Sequence, residues 1–294
     1  MAGALGGACL ALATPAAALV VELKDVAADR IERQRAWVQG QVPLPGTPDV
    51  AGLDARLAAK GLSKGSPVFV RIFKAESELE LWLRKGERFV LLDTYPICHW
   101  TGTLGPKERE GDKQSPEGFY SVTPRQARHV GRWRKALNLG FPNALDQRLQ
   151  RTGSYILLHG GCSSTGCFAM TDPVMDEIHT LAAAALRGGQ ERIHVSIFPF
   201  RMTAAALEAH KEHPWLEFWG DLKAGYDSFE RTRVPPRIAI CGKRYVVQDG
   251  EPGESGDAHA LASAPQGGRG AEQCTERMAQ QARTGAAAGT PQSQ

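Results

Sequence analysis

The sequence predicts an α+β fold that is mostly β with flanking helices, and closely spaced strand signals are the first reason. Three runs rich in Val, Ile, Leu and Phe follow one another at residues 68–73, 79–83 and 89–95, and the short polar breaks between them suit hairpins. Two further strands are predicted at 118–122 and 193–198. This succession of strands predicts a mainly antiparallel sheet that opens the main domain.

Helix signals and a late hairpin complete the prediction. The clearest helix is predicted to be capped by Asp172 and to stop at Gly188, with apolar side chains at helical spacing between them. Further helices are predicted over residues 203–213 and 215–229. Residues 238–247 carry two short β-rich runs around a Gly-Lys turn, which is typical of a hairpin.

Composition divides the chain into five segments. Residues 1–21 carry no charged side chain and hold an Ala-rich stretch after a proline, so they are predicted to be a signal peptide, with a buried N-terminal helix as the alternative. Residues 22–66 are predicted to be a helical and linker segment, 67–200 the main domain, and 201–249 a helical extension with the hairpin. Residues 250–294 have few large apolar side chains and are predicted to be disordered.

The charge balance argues against nucleic-acid binding. Among the 294 residues, 35 are Lys or Arg and 32 are Asp or Glu, which gives a formal net charge of +3. No basic run or basic-aromatic stripe stands out, so nucleic acid is not expected as a partner. No membrane span is expected once the signal peptide has been removed.

The chain has six cysteines, and their number in an exported protein is informative. Cys9 would leave with the signal peptide. The mature chain would keep Cys98, Cys162, Cys167, Cys241 and Cys274. Because that number is odd, at least one thiol is left unpaired or is paired between chains.

The segment from His159 to Met170 carries the candidate chemistry. A thiol is a good nucleophile only as the thiolate, so a cysteine nucleophile needs an imidazole to take its proton. His159 is predicted to follow a buried strand at 155–158, and a loop rich in Gly and Ser leads from it to Cys167. Gly166 would let a substrate carbonyl approach the Cys167 amide, which could donate a hydrogen bond to an oxyanion.

These residues resemble a known family. Ser164-Thr165-Gly166-Cys167-Phe168-Ala169-Met170 resembles the S-H-G-C-x-R-M signature of the L,D-transpeptidase (YkuD-like) family, and His159-Gly160 resembles its upstream His-Gly. The short loop between His and Cys is most similar to the YafK/DpaA-like branch. Similar stretches outside the motif are residues 72–81, 104–107, 111–112, 115–120, 140–143 and 198–202.

The resemblance implies a β-sandwich or barrel-like catalytic domain that performs acyl transfer without a cofactor or metal. Cys167 would attack a carbonyl of a peptidoglycan stem peptide at diaminopimelate and form a thioester. His159 would move the proton, and the carbonyl of Gly160 would orient its ring. Thr165 and Ala169 replace the family's His and Arg, so substrate contacts at those two positions are not carried over.

The resemblance also implies the periplasm of a Gram-negative bacterium and peptidoglycan stem peptides as the partner. A transpeptidase would pass the acyl group to an amine. A hydrolase of the same fold would pass it to water and release an outer-membrane lipoprotein that is covalently bound to peptidoglycan. That lipoprotein is therefore a second expected partner.

Two readings without catalysis stay open. A zinc-binding module is compatible with the spacing of His159, Cys162 and Cys167, and a peptidoglycan-binding module without turnover is the other. Cys162 is predicted to be a structural cysteine or to form a disulfide with Cys98.

Several other residues near the motif have open roles. Ser163 and Ser164 either bind substrate or only satisfy backbone groups of the loop. Trp133, which lies between Arg132 and Arg134, is predicted to belong to a solvated basic loop, with contact to a sugar or an anionic stem peptide as the alternative. Tyr155 and the pair His99-Trp100 are predicted to pack rather than to line a pocket.

Overall fold

The computed structural model describes residues 30–41, 43–128, 131–133, 135–254 and 262–263. The helices are α1 (Arg30–Val38), a 3-10 turn (Val50–Gly52), α2 (Leu53–Lys60), α3 (Ala144–Arg148), α4 (Asp172–Arg187), α5 (Ala204–Ala209) and α6 (Leu216–Thr232). The strands are β1 (Val68–Phe73), β2 (Glu78–Lys85), β3 (Arg88–Pro96), β4 (Gly118–Val122), β5 (Ala136–Asn138), β6 (Leu157–His159), β7 (Phe168–Ala169), β8 (Ile193–Phe198), β9 (Arg237–Cys241), β10 (Arg244–Gln248) and β11 (Ala262–Ser263).

A five-stranded sheet with the order β3-β2-β1-β8-β4 forms the centre of the protein. Strand β1 pairs antiparallel with β2 and parallel with β8, so that Val70 lies opposite both Leu81 and Val195. Every residue of β1 is buried, which explains its nearly continuous apolar run. The one charged residue in the strand, Arg71, forms ion pairs with Glu80 and Glu230.

The α+β class predicted from the sequence is confirmed, and so are the strands predicted at the front of the main domain. The hairpin predicted over residues 238–247 is also confirmed, with Arg244 opposite Cys241. The parallel pairing of β1 with β8 was not predicted. These strands lie more than 100 residues apart in the chain, and such a pairing leaves no local signal.

The C-terminal helix and hairpin share the core of the main sheet. Trp219 and Leu222 of α6 and Tyr245 of β10 belong to the same buried cluster as the side chains of β1 and β8. The domain boundary predicted at residue 200 stays a prediction. The described residues on both sides of it contribute to one core.

Two local predictions were wrong. Thr171, with an extended backbone, occupies the N-cap position of α4, and Asp172 is already the first helical residue. The strand before the motif begins at Leu157 and not at Tyr155. Tyr155 has a φ of +56° and its side chain is 67% exposed, which a buried strand does not allow.

The predictions for the two ends of the chain are largely untested. The predicted signal peptide at residues 1–21 lies outside the described residues, as does most of 250–294. Within the latter segment, β11 pairs in parallel with β9. In the described ranges, no helix combines the length and the apolar character that crossing a bilayer requires.

Candidate active site

The candidate site is built on the small sheet β5-β6-β7. Strands β6 and β7 pair in parallel, with Leu158 opposite Phe168 and His159 opposite Ala169. Cys167 lies in the bend directly before β7, and His159 is the last residue of β6. The parallel pairing of β6 with β7 thus brings the chain segments that carry the predicted nucleophile and the predicted base next to each other.

The Cys167 thiol is half-buried, and it is the free cysteine among the described residues. The backbone N–H of Leu157 donates to Sγ over 3.3 Å. The thiol in turn lies 3.7 Å from the carbonyl oxygen of Tyr155, to which it donates. Two backbone groups, one just before β6 and one at its first residue, therefore hold the sulfur in place.

Burial raises the pKa of the Cys167 thiol. The Leu157 N–H and the positive charge of Lys107 act in the opposite direction but do not outweigh burial. The thiol is therefore mostly protonated at neutral pH. A neighbouring base is needed to make it nucleophilic.

The carbonyl of Gly160 orients the ring of His159 and selects its tautomer. Its side chain is buried, and Nδ1 lies 2.5 Å from the carbonyl oxygen of Gly160. A carbonyl only accepts hydrogen bonds, so Nδ1 carries a proton, and in the neutral imidazole Nε2 is then the nitrogen that can accept one. A Cβ at position 160 would come within 2.2 Å of a carboxylate oxygen of Asp172, so a larger residue there requires the Asp172 side chain to move.

The indole of Trp133 stacks on the imidazole of His159, with ring centroids 4.2 Å apart and an interplanar angle of 14°. The guanidinium of Arg132 lies 4.8 Å from the centroid of the indole ring. Sequence reasoning missed this contact and placed Trp133 in a solvated loop. The only signal was an aromatic residue within a basic and otherwise irregular stretch.

The loop before the nucleophile leaves one backbone donor available. Gly166 has a φ of +96°, which favours glycine, and its N–H donates to Oγ1 of Thr101 over 2.6 Å. Among the described residues, the N–H of Cys167 itself has no hydrogen-bond partner. An amide directly at the nucleophile is suitably placed to stabilise an oxyanion.

Hydroxyl groups from two loops hold the carbonyl of Cys167. Oγ of Ser164 donates to it over 2.7 Å and Oγ of Ser115 over 3.2 Å. Ser164 therefore satisfies a backbone group of the loop. Ser163 is exposed, so a substrate-binding role for Ser163 stays a prediction.

The loop that provides Thr101 and Ser115 is anchored by a buried ion pair. Nζ of Lys74 and Oε1 of Glu117 are 2.9 Å apart, and both side chains are fully buried. Lys74 also donates to the carbonyls of Thr103, Gly105 and Ser115. Glu117 accepts from the N–H of Gly105 and from the indole N–H of Trp219.

Cys162 forms a disulfide with Cys98, with the two Cα atoms 5.2 Å apart. Both residues are buried. A sulfur in a disulfide is not a thiolate and is therefore not a zinc ligand. The bridge argues against a zinc site that uses both Cys162 and Cys167. In the described part of the chain, no group of three or more His, Cys, Asp or Glu residues could hold a metal ion.

Two cavities of about 570 and 190 Å³ lie elsewhere on the protein. Trp215 and Arg109 line both of them, whereas Cys167 and His159 line neither. Cavity size alone would therefore point away from the residues that carry chemistry. The candidate site is assigned to the free thiol of Cys167 and the imidazole of His159, because a reaction requires reactive groups as well as a cavity.

Comparison with known proteins identifies the family. The model of the YkuD L,D-transpeptidase catalytic domain matches residues 67–194. The "Putative L,D-transpeptidase YafK" of Escherichia coli K12 and that of strain O157:H7 are each 50% identical over 183 residues, or 62% of this chain and 74% of the relative. A solved structure of the helical cell shape determining protein Pgp2 (K307A mutant) from Campylobacter jejuni aligns with a TM-score of 0.35 and 20% identity, over 62% of this chain and 68% of that chain. On the strength of its identity to these curated relatives, this chain belongs to the L,D-transpeptidase (YkuD) family.

Proposed function

We propose that this chain is a cysteine acyl-transfer enzyme that acts on peptidoglycan stem peptides at diaminopimelate through a thioester on Cys167. Membership of the family supports an enzyme that acts on peptidoglycan. One observation carries the finer proposal. The free thiol of Cys167 lies directly before β7, whose partner strand β6 ends at His159, and Nδ1 of His159 lies against the carbonyl oxygen of Gly160.

The first half of the reaction forms the thioester. Nε2 of His159 takes the proton of the thiol as Sγ of Cys167 attacks the substrate carbonyl. The carbonyl oxygen becomes an oxyanion and accepts a hydrogen bond from the N–H of Cys167. The C–N bond then breaks, and the imidazolium of His159 protonates the leaving amine.

The second half reverses these steps with a new nucleophile. An amine or a water molecule gives a proton to His159 and attacks the thioester carbonyl. The C–S bond breaks, and Cys167 regains its proton. An amine acceptor yields a new crosslink, whereas water yields hydrolysis and, on a suitable substrate, release of a lipoprotein bound to peptidoglycan.

This proposal places the enzyme in the periplasm, since peptidoglycan lies there in a Gram-negative bacterium. The predicted signal peptide at residues 1–21 supports that location. The disulfide between Cys98 and Cys162 supports it as well, because disulfides persist in oxidising compartments.

The experiment uses purified protein and two substrates: sacculi that carry covalently bound lipoprotein, and soluble disaccharide-tetrapeptides with an amine acceptor. Acid-quenched samples are digested and analysed by mass spectrometry for an acyl adduct on Cys167, for released lipoprotein and for new crosslinks. Cys167→Ser and His159→Gln are the test variants. His179→Gln, a change at a partly buried histidine on α4, is the matched control.

We expect an adduct on Cys167 in the wild-type protein and none in Cys167→Ser. Loss of the base in His159→Gln should lower kcat by about 10²-fold or more, while His179→Gln stays near wild type. Released lipoprotein without new crosslinks identifies a hydrolase, and new crosslinks identify a transpeptidase. Binding to sacculi without adduct or product would overturn the proposal in favour of a binding module.

A further inference from the structure

Arg132 carries an exposed positive charge close to the candidate base. Its guanidinium carbon lies 4.8 Å from the centroid of the Trp133 ring, and the indole of Trp133 stacks on the imidazole of His159 at 4.2 Å. Together these two distances keep the guanidinium within about three residues of extended chain from the imidazole. A short stretch of the peptide that Cys167 would attack is long enough to span that separation.

The contact with Trp133 fixes where the guanidinium lies but does not use its hydrogen-bonding groups. An aromatic ring attracts the charge of a guanidinium through its π-face, and an indole has no lone pair to accept a hydrogen bond. Arg132 is exposed, and it forms no hydrogen bond or ion pair with the part of the chain that the structure describes. Its N–H groups are therefore available to a ligand.

Two other cations near the candidate site differ from Arg132 in this respect. Lys107, whose charge acts on the catalytic thiol, is paired with Asp112. Lys135, directly before β5, has its Nζ 3.0 Å from a carboxylate oxygen of Asp176. Both of these charges are balanced within the protein, whereas the charge of Arg132 is suited to an anion that arrives with the substrate.

We propose that Arg132 is a substrate-binding residue that pairs with a carboxylate of the stem peptide while Cys167 attacks the neighbouring carbonyl. This inference rests on the proposed function. Diaminopimelate carries a free carboxylate at its far end, and a tetrapeptide carries another at its C-terminus. The planar guanidinium matches the geometry of a carboxylate with two parallel hydrogen bonds, which a neutral sugar hydroxyl does not offer.

The test compares Arg132→Gln with the wild-type enzyme on three disaccharide-tetrapeptides. The first has both carboxylates, the second is amidated at its C-terminus, and the third is amidated at the far carboxylate of diaminopimelate. Arg128→Gln is the matched control, since Arg128 is an exposed arginine of the same basic stretch and its side chain has no hydrogen bond or ion pair with a described residue. We measure kcat and KM for each protein on each substrate.

We expect Arg132→Gln to raise KM about tenfold on the unmodified substrate, because a charge-assisted hydrogen-bonded pair is lost, while kcat stays near the wild-type value. Amidation of the carboxylate that Arg132 binds should raise the wild-type KM by a similar factor. On that amidated substrate Arg132→Gln should have no further effect, whereas on the other one it should keep its full effect. Arg128→Gln should keep the wild-type KM on all three substrates.

Several results would overturn this inference: an unchanged KM in Arg132→Gln on the unmodified substrate, an increase of the same size on all three substrates, or an equal increase in Arg128→Gln. A loss of kcat without a change in KM would also overturn it, because Arg132 would then act only through Trp133 on the imidazole of His159. Failure of the proposed function is distinguishable from these, because the wild-type protein would then turn over none of the substrates.

Discussion

The buried ion pair between Lys74 and Glu117 gives the sharpest test of how the candidate site is supported. Its atoms are 2.9 Å apart and both side chains are fully buried. Lys74→Met replaces the ammonium by an apolar group of similar length. The change leaves the carboxylate of Glu117 buried without its counter-ion, and it removes the donor to the carbonyl of Ser115, whose hydroxyl bonds to Cys167.

Its magnitude follows from burial. Removing one partner of a fully buried pair costs about 3–5 kcal/mol, because the remaining charge stays in a medium of low dielectric constant. At roughly 3 °C per kcal/mol for a domain of this size, the melting temperature should fall by about 10 °C. Lys74→Met/Glu117→Gln removes both charges, so it should be less destabilised than the sum of the two single variants.

The assay is urea unfolding followed by fluorescence, with turnover measured under conditions in which each variant is folded. Lys211→Met is the matched control. Lys211 and Glu208 are also 2.9 Å apart, but their side chains are 60% and 71% exposed, so little change is expected. A loss below about 1 kcal/mol in Lys74→Met would refute the reasoning from burial, as would equal losses in Lys74→Met and Lys211→Met.

Three further predictions concern the site itself. Burial raises the pKa of the Cys167 thiol. The rate of its alkylation by iodoacetamide should therefore increase with pH, with a midpoint above the pKa of an ordinary cysteine. A rate that has already reached its plateau at pH 7 would contradict this. Replacing Cys98 and Cys162 by Ala removes a cross-link between residues 64 positions apart. By the loop-entropy relation, the free energy of unfolding measured in urea should fall by about 4 kcal/mol, and an unchanged free energy of unfolding would refute this. Trp133→Ala should lower kcat several-fold, since stacking on His159 is worth about 1 kcal/mol, whereas Trp133→Phe should stay near wild type, and equal kcat values in both variants would count against the stack.

The features that could be predicted from the sequence are those that local pattern determines. The strands of the main sheet are predicted from runs of apolar residues, whereas Cys167 and His159 are proposed from one short segment and its family resemblance and stay a prediction. The α+β class followed from these runs and from the helix signals between them. Each of these features is encoded within a few neighbouring residues, so no knowledge of the tertiary structure was required.

The features that escaped prediction depend on residues far apart in the chain. Trp133 stacks on His159 from an irregular stretch without periodicity, and nothing near Trp133 indicates where its ring lies. Lys74 and Glu117 look like ordinary surface charges in the sequence, although the fold buries both. Tyr155 was read as part of a buried strand because its neighbours are apolar, and only the backbone conformation shows otherwise.

The loop that carries Cys167 is held in place largely by contacts with residues outside the loop. A segment rich in Gly and Ser has few side chains with which to pack, so it cannot hold one shape by itself. Its rigidity comes from the disulfide at Cys162, from Thr101 at the Gly166 amide and from Ser115 at the Cys167 carbonyl. Reacting groups must be held to within about 0.5 Å for efficient catalysis. Changes at these supporting positions should therefore lower kcat more than they raise KM.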